Sequence, residues 1–255
     1  MSTPVTTYPP LEMRSQIANP IVTGTLYTAA TVVELPTPAR IEGGARIEQT
    51  NAGDGWGTWT LDCPSNLSAA DFDGTRWGAL EFPAFGVGAT DECSLVGTTE
   101  TEVSDLAAQR LRITEEVAVS SAFAETLLDA GGDPDEAPAD VVETVGAIEE
   151  VLGSTGIRGV VHAARRNIAL LASKSMIVRG NAGRLETPGG HAWAFGTGYD
   201  NLGKSLVATG PVTIYRTPVV VTPSVHHGQN RRSALAEREV LPTYELFAAT
   251  FEIGA

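Results

Sequence analysis

The chain is short of cysteine, of basic residues and of long apolar runs, and each shortage excludes a class of protein. Only two cysteines, Cys63 and Cys93, occur in 255 residues. That is too few for a disulfide framework, and their separation matches no zinc spacing. Both are read as reduced, packed thiols, a late disulfide being reserved for a chain that leaves the cell. Lys and Arg total 17 against 31 Asp and Glu, a formal charge of −14, which removes the sequence-independent grip on phosphate used by nucleic-acid binders. No uninterrupted apolar run approaches the ~18 residues that span a bilayer, and the opening MSTPVTTYPPLEMRSQ lacks the charged and apolar regions of a signal peptide. These features predict a chain made and used in a cytosol, or in something assembled there.

Signatures of catalysis are scarce too. None of the four histidines, His162, His191, His226 and His227, has a carboxylate or cysteine at a spacing that predicts a metal site or a triad, and neither G-x-S-x-G nor H-E-x-x-H occurs. Adjacent His226 and His227 point in different directions in most backbones, which predicts a solvated loop. Asp71-Phe72-Asp73-Gly74 begins like a calcium loop but lacks the later oxygen positions and the terminal Glu.

One motif does match letter for letter: GYDNLGKS, residues 198–205, fits the phosphate-loop pattern G-x-x-x-x-G-K-[ST]. Such a loop works when a helix follows it and aims its N-terminus at the phosphates. Here residues 206–209 run straight into Gly210-Pro211, leaving room for barely one turn, and Asp200 inside the loop repels phosphate. Gly196, Gly198 and Gly203 are therefore expected to be turn glycines with positive φ, and Lys204 a surface cation. No catalytic, cofactor-binding or metal-binding residue is assigned. A nucleotide-dependent enzyme using Lys204 and Ser205 stands as the rival from another class.

What the chain does carry is a sequence of recognisable segments. Residues 1–20, with four prolines, form an arm without its own core. Residues 21–48 alternate with turn signals and predict strands or a long hairpin. Residues 51–97 are rich in Gly, Asp and Trp (Trp56, Trp59, Trp77), expected as aromatics packed on a loop-rich layer. Residues 104–129 predict a long helix capped by Ser104, with Leu106, Ile113, Val117, Ala124 and Leu128 on one thin apolar stripe. After an acidic linker at residues 131–139, Asp140 opens a second helix, Glu143 completing a capping box and Val141, Val145, Ile148 and Leu152 forming its face, with Gly153 closing it. A strand at 157–161 and a helix at 163–174 follow, then short strands separated by Gly turns. Residues 211–221 form a strand broken by Pro218, HHGQNRRSALAERE a polar insert, and residues 241–253 a last alternating strand. This order predicts an α+β fold, a mixed sheet flanked by helices. In an assembly, Arg165, Arg166, Arg231, Arg232, Glu237, Arg238 and Glu239 are candidates for pairing across subunits.

Three stretches carry a resemblance to a family: GVVHAARRNIALLASKSMIVRGNAGRLETPGGHAWAFGTGYDNLG, LVATGPVTIYR and the closing AEREVLPTYELFAATFEI. In order they show a short strand ending in His-Ala, a helix, a Thr-x-x-Gly strand leading to a Gly-x-Gly-Tyr turn, and return strands. Over roughly the last hundred residues the chain resembles major capsid proteins of tailed bacteriophages, especially the type encoded by phages of actinobacteria. The resemblance implies the tailed-phage capsid fold shared with encapsulins: an N-terminal arm (1–20), an extended loop hairpin (21–50), a peripheral domain (51–138) containing a spine helix (104–129), an axial domain (139–210) and return strands of the peripheral domain (211–255). It also implies no enzyme and no cofactor. The expected subunit assembles with itself in pentamers and hexamers, with scaffold, portal or decoration proteins as further partners. Assembly would take place in the host bacterial cytoplasm and end in a virion shell that encloses double-stranded DNA without sequence-specific contacts. A minor or vertex virion protein and an encapsulin-like compartment shell are the alternatives.

Overall fold

The computed structural model describes residues 15–36, 41–53, 55–57, 74–133 and 140–253. Most of the arm, Trp59, Cys63, Asp71 to Asp73 and the core of the acidic linker lie outside those residues. In chain order the elements are α1 (Leu26–Ala29), β1 (Thr31–Glu34), β2 (Ala45–Ile47), β3 (Leu80–Phe82), β4 (Phe85–Ser94), α2 (Glu100–Gly131), α3 (Val141–Ser154), β5 (Val160–Ala163), α4 (Ile168–Ser173), β6 (Val178–Arg179), β7 (Leu185–Glu186), β8 (Ala192–Ala194), β9 (Ser205–Thr209), β10 (Val212–Arg216), β11 (Val220–His226), β12 (Arg231–Tyr244) and β13 (Ala248–Glu252).

Two sheets hold the chain together. In one the order is β1-β10-β12-β11, with β4 also paired to β12; in the other it is β13-β9-β5-β8-β7-β6. The second sheet shows strict period-two alternation. Val160, Ala192, Ala194 and Val207 face one cluster, which they share with α2, and Val161, Trp193, Phe195, Leu206 and Ala208 face another, which they share with α3. Trp193 and Phe195 stack with ring centres 5.2 Å apart. Helices therefore cover both faces of this sheet, which explains why its strands read as nearly continuous apolar runs.

Helix α2 joins the two sheets. At 32 residues it is about 48 Å long at 1.5 Å per residue. Thr99, and not Ser104, is its N-cap: Thr99 Oγ1 accepts from Glu102 N–H at 3.2 Å, and the Glu102 carboxylate accepts from Thr99 N–H at 3.1 Å. Glu100 and Glu102 also favour the positive helix end. Near the other end, a Cβ on Gly131 would stand 2.2 Å from Thr250 Oγ1 of β13, so only glycine lets the helix lie against that strand. Gly132, at φ +67°, then turns the chain away.

The apolar stripe expected on this helix is mostly on the wrong side. Leu106, Ile113 and Val117 are exposed, while Val103, Ala107, Leu111, Glu116, Val119, Ser120, Phe123, Ala124 and Leu127 are buried. The reason is that α2 touches two sheets and a turn, so its buried arc is wide and admits small and polar residues at the closest contacts. For α3 the expectation holds: Val141, Val145, Ile148 and Leu152 are all buried, and the Asp140 carboxylate accepts from Val142 and Glu143 N–H. The helix passes Gly153 and ends at Ser154.

Three strand expectations are corrected. The 21–48 segment does not fold back on itself, because β1 pairs in parallel with β10 and β2 pairs antiparallel with β3. Residues 231–239 of the polar insert belong to a 14-residue strand, β12, in which Ala234 and Ala236 are buried while Arg231 and Glu237 are exposed. The last stretch is two strands, β12 in the first sheet and β13 in the second, separated by a bend at Leu246 with φ +70°. The loop-rich layer also proves partly sheet: β4 spans ten residues along β12, whereas Trp56 and Trp77 are exposed.

Candidate functional site

The sequence points first to the phosphate-loop match, so the site begins there. β8 leads into a turn at residues 195–198, a single 3₁₀ turn over Tyr199–Leu202, Gly203 at φ +59°, and then strand β9. A strand stands where phosphate binding needs a helix. Lys204 is exposed, and its carbonyl accepts from Ile253 N–H at 3.1 Å, extending the β13 ladder. The phosphate-loop reading of these residues fails on this geometry.

Two of the three glycines serve a different purpose from the expected one. Gly203 does take a positive φ, but Gly198 has φ −104°. A Cβ there would lie 2.1 Å from the Val117 carbonyl oxygen and 2.7 Å from Ser121 N, and one on Gly196 would lie 2.7 Å from Ser120 Cβ. These glycines let the turn sit against the α2 backbone. Gly198 N–H donates to Ser120 Oγ at 2.7 Å, and Ser120 Oγ–H donates to the Glu116 carbonyl at 2.7 Å.

Glu116 completes the junction. Its buried carboxylate accepts from Leu26 N–H at 3.2 Å and from Thr197 N–H at 3.1 Å. Two segments distant in sequence, at Leu26 and Thr197, thus meet on one side chain of α2. Burial raises its pKa above the usual 4.5, opposed by the two backbone N–H bonds and by the charge of Arg165, whose guanidinium donates to the Phe195 carbonyl at 3.0 Å.

The histidines are structural or solvent-facing. His162 is fully buried, with Nδ1 2.9 Å from Tyr199 Oη and Nε2 3.0 Å from Thr209 Oγ1. Thr209 gives its own hydroxyl hydrogen to the Gly210 carbonyl, so Nε2 is the protonated nitrogen and Nδ1 accepts from the tyrosine. Burial pushes the His162 pKa down to about 3 and the Tyr199 phenol up, leaving both neutral and unsuited to proton transfer near neutrality. His191 accepts from Gly159 N–H through Nδ1 at 3.1 Å and faces Glu149 at 3.5 Å. His226 and His227 lie exposed at the β11–β12 turn. No group of three metal-ligating side chains occurs among the described residues.

Most of the charged residues expected to cross an interface are engaged within the chain. Glu115 of α2 accepts from Arg216 at 3.0 Å, Arg238 at 3.2 Å and Tyr27 Oη at 2.8 Å. Arg216 also donates to Glu34 at 2.6 Å. Arg231 pairs with Glu92, Arg232 donates to the Thr98 carbonyl, and Arg166 faces Asp200 at 3.9 Å. Glu237 stays exposed. Neither Glu115 nor Glu116 carries a local motif; two adjacent acids in the middle of an amphipathic helix, one on its buried side, are the only hint.

No family model and no curated protein matches this sequence. Among solved structures the chain is similar to the capsid of a native GTA particle, with a TM-score of 0.59 and 14% identity over 97% of this chain and 96% of that one. It is similar to the capsid of Ralstonia phage GP4, with a TM-score of 0.57 and 9% identity over 96% and 95%. The SrpI encapsulin from Synechococcus elongatus follows, at 0.51 and 12% identity over 95% and 96%. These likenesses run the length of both partners, and the chain has the tailed-phage capsid fold.

Proposed function

We propose that this chain is the repeating structural subunit of an icosahedral shell, a major capsid protein of the tailed-phage type that encloses double-stranded DNA. The observation that supports it most is the likeness to capsid chains over 96% or more of this chain, with a single helix tying both sheets together. The motif that could have argued for an enzyme is a packed turn, which agrees with a structural role. In this reading the six-stranded sheet with α3 is the axial unit, and the other sheet with α2 as spine is the peripheral unit. The strand β13 belongs with the axial sheet, so the return strands divide between the two.

Pentamers and hexamers of the chain are its partners, joined by scaffold, portal or decoration proteins. They assemble in the host bacterial cytoplasm and remain in the virion. A surface with 14 excess negative charges leaves packaged DNA unbound by sequence. A compartment shell is the second reading, favoured by the SrpI encapsulin likeness. Electron microscopy of the purified chain tests the shell: closed particles are expected, and a protein that stays monomeric at every concentration and ionic strength refutes it. Native particles filled with double-stranded DNA, as opposed to a cargo enzyme, separate the two readings.

A further inference from the structure

In a chain with so few basic residues, most described arginines are occupied internally: Arg110 by Asp91, Arg158 by Glu186, Arg216 and Arg238 by Glu115. Arg46 and Arg76 are exceptions, exposed and without a hydrogen bond or ion pair. Both lie beside the antiparallel pairing of β2 with β3, Arg46 within it opposite Glu81 and Arg76 four residues ahead of Leu80. They line one groove of about 690 Å³ with Glu48, Gln49 and Trp77.

Gln49 lines the same groove with a buried side chain. It is 5% exposed, its Oε1 accepts from Leu246 N–H at 2.7 Å, and its Nε2 is buried with no partner. The bond from Leu246 fixes the amide's orientation, so Nε2 is left as a buried donor without an acceptor.

We propose that this groove receives the carboxylate side chains of a second copy of this chain. The inference rests on the shell reading. Each copy carries a charge of −14, so packing copies together sets like charges against each other, and contacts require cationic receptors for acidic surface. Two guanidiniums match carboxylates in their fork geometry. The exposed indole of Trp77 adds a flat apolar wall, and Arg and Trp are the residue types that dominate interface energies. A nucleic-acid strand is a poorer match, because its affinity comes from many neutralised phosphates and this groove offers two cations beside Glu48.

The test compares wild type with Arg46→Ala/Arg76→Ala, reading particle formation by microscopy and sedimentation over a concentration series. Both side chains are unpaired, so the variant should melt like wild type while its assembly threshold rises at least about tenfold. A second variant, Arg76→Lys, places an amine in the groove. A carbodiimide then condenses that amine with a neighbouring carboxylate to an amide, taking up the released water as its urea. Mixing isotope-labelled and unlabelled copies before assembly should give crosslinked peptides from Lys at position 76 to an Asp or Glu of the other copy. If wild type forms particles and the double-alanine variant forms them at the same threshold, or if every crosslink stays within one copy, the inference is overturned and the shell reading stands. Ultraviolet crosslinking of Trp77 to nucleic acid in particles overturns it in favour of a nucleic-acid contact. A wild type that never forms particles removes the shell reading and this inference together.

Discussion

Replacing Glu116 by alanine tests the junction that ties α2 to the rest of the molecule. The substitution strands two N–H groups, those of Leu26 and Thr197, at a site where Leu26 is fully buried. Each buried donor left unpaired costs about 1–3 kcal/mol. Set against this is the relief of no longer burying a carboxylate, a cost made visible by its raised pKa. A net loss of about 2–4 kcal/mol follows, which for a chain of this size is a fall in Tm of about 4–16 °C. Circular dichroism melts of the unassembled subunit measure it.

The pH dependence gives a sharper check through Glu116→Gln. Because the folded-state pKa of Glu116 lies above the unfolded 4.5, the folded protein holds the proton more tightly. Its contribution to stability is complete below pH 4.5 and is lost as pH rises through the folded value. The stability of wild type relative to Glu116→Gln should therefore be greatest in acid and fall steadily as pH rises toward neutrality. A fall in Tm of less than about 2 °C for the alanine variant, or a wild type that gains stability relative to Glu116→Gln as pH rises, would refute the reasoning.

Gly198→Ala forces a Cβ to within 2.1 Å of the Val117 carbonyl oxygen and should cost about 3 kcal/mol or more in urea denaturation, since neither backbone can yield alone. Thr99→Ala should cost about 1 kcal/mol and speed amide exchange in the first turn of α2, whereas Ser104→Ala should leave both unchanged; the opposite result would move the helix start to Ser104. Lys204→Ala should shift stability by less than about 0.5 kcal/mol, and calorimetry with ATP and magnesium should show no binding to either form. ATP binding lost on this substitution would restore the nucleotide site.

How much of the fold was legible varies with the range of the interactions concerned. The α3 face could be read directly, because Asp140 caps within three residues and Val141, Val145, Ile148 and Leu152 face a single layer. For α2 the same rule picked exposed Leu106, Ile113 and Val117, since a helix wedged between two sheets buries Ala107, Glu116 and Ser120 at its closest approaches. β12 looked like a polar insert because its inward positions are small, Ala234 and Ala236, or carry Arg238, whose charge is met by Glu115 about 120 residues earlier. No local pattern announces a partner that far away. Gly196 and Gly198, expected as turn glycines with positive φ, answer instead to close contact with α2, whereas Gly203 does take a positive φ.

From the sequence alone come the α+β class, the two main helices and the exclusion of a phosphate loop, all fixed by capping chemistry, periodicity and the room between breakers within a few residues. The tertiary structure decided which strands pair. β1 lies beside β10 some 180 residues later, β13 crosses to the second sheet, and Glu116 ties the segments at Leu26 and Thr197 to α2. Those choices depend on burying both faces of one sheet while giving the backbone N–H groups of Leu26, Thr197 and Gly198 acceptors on the helix, a condition that exists only once the whole chain is in place.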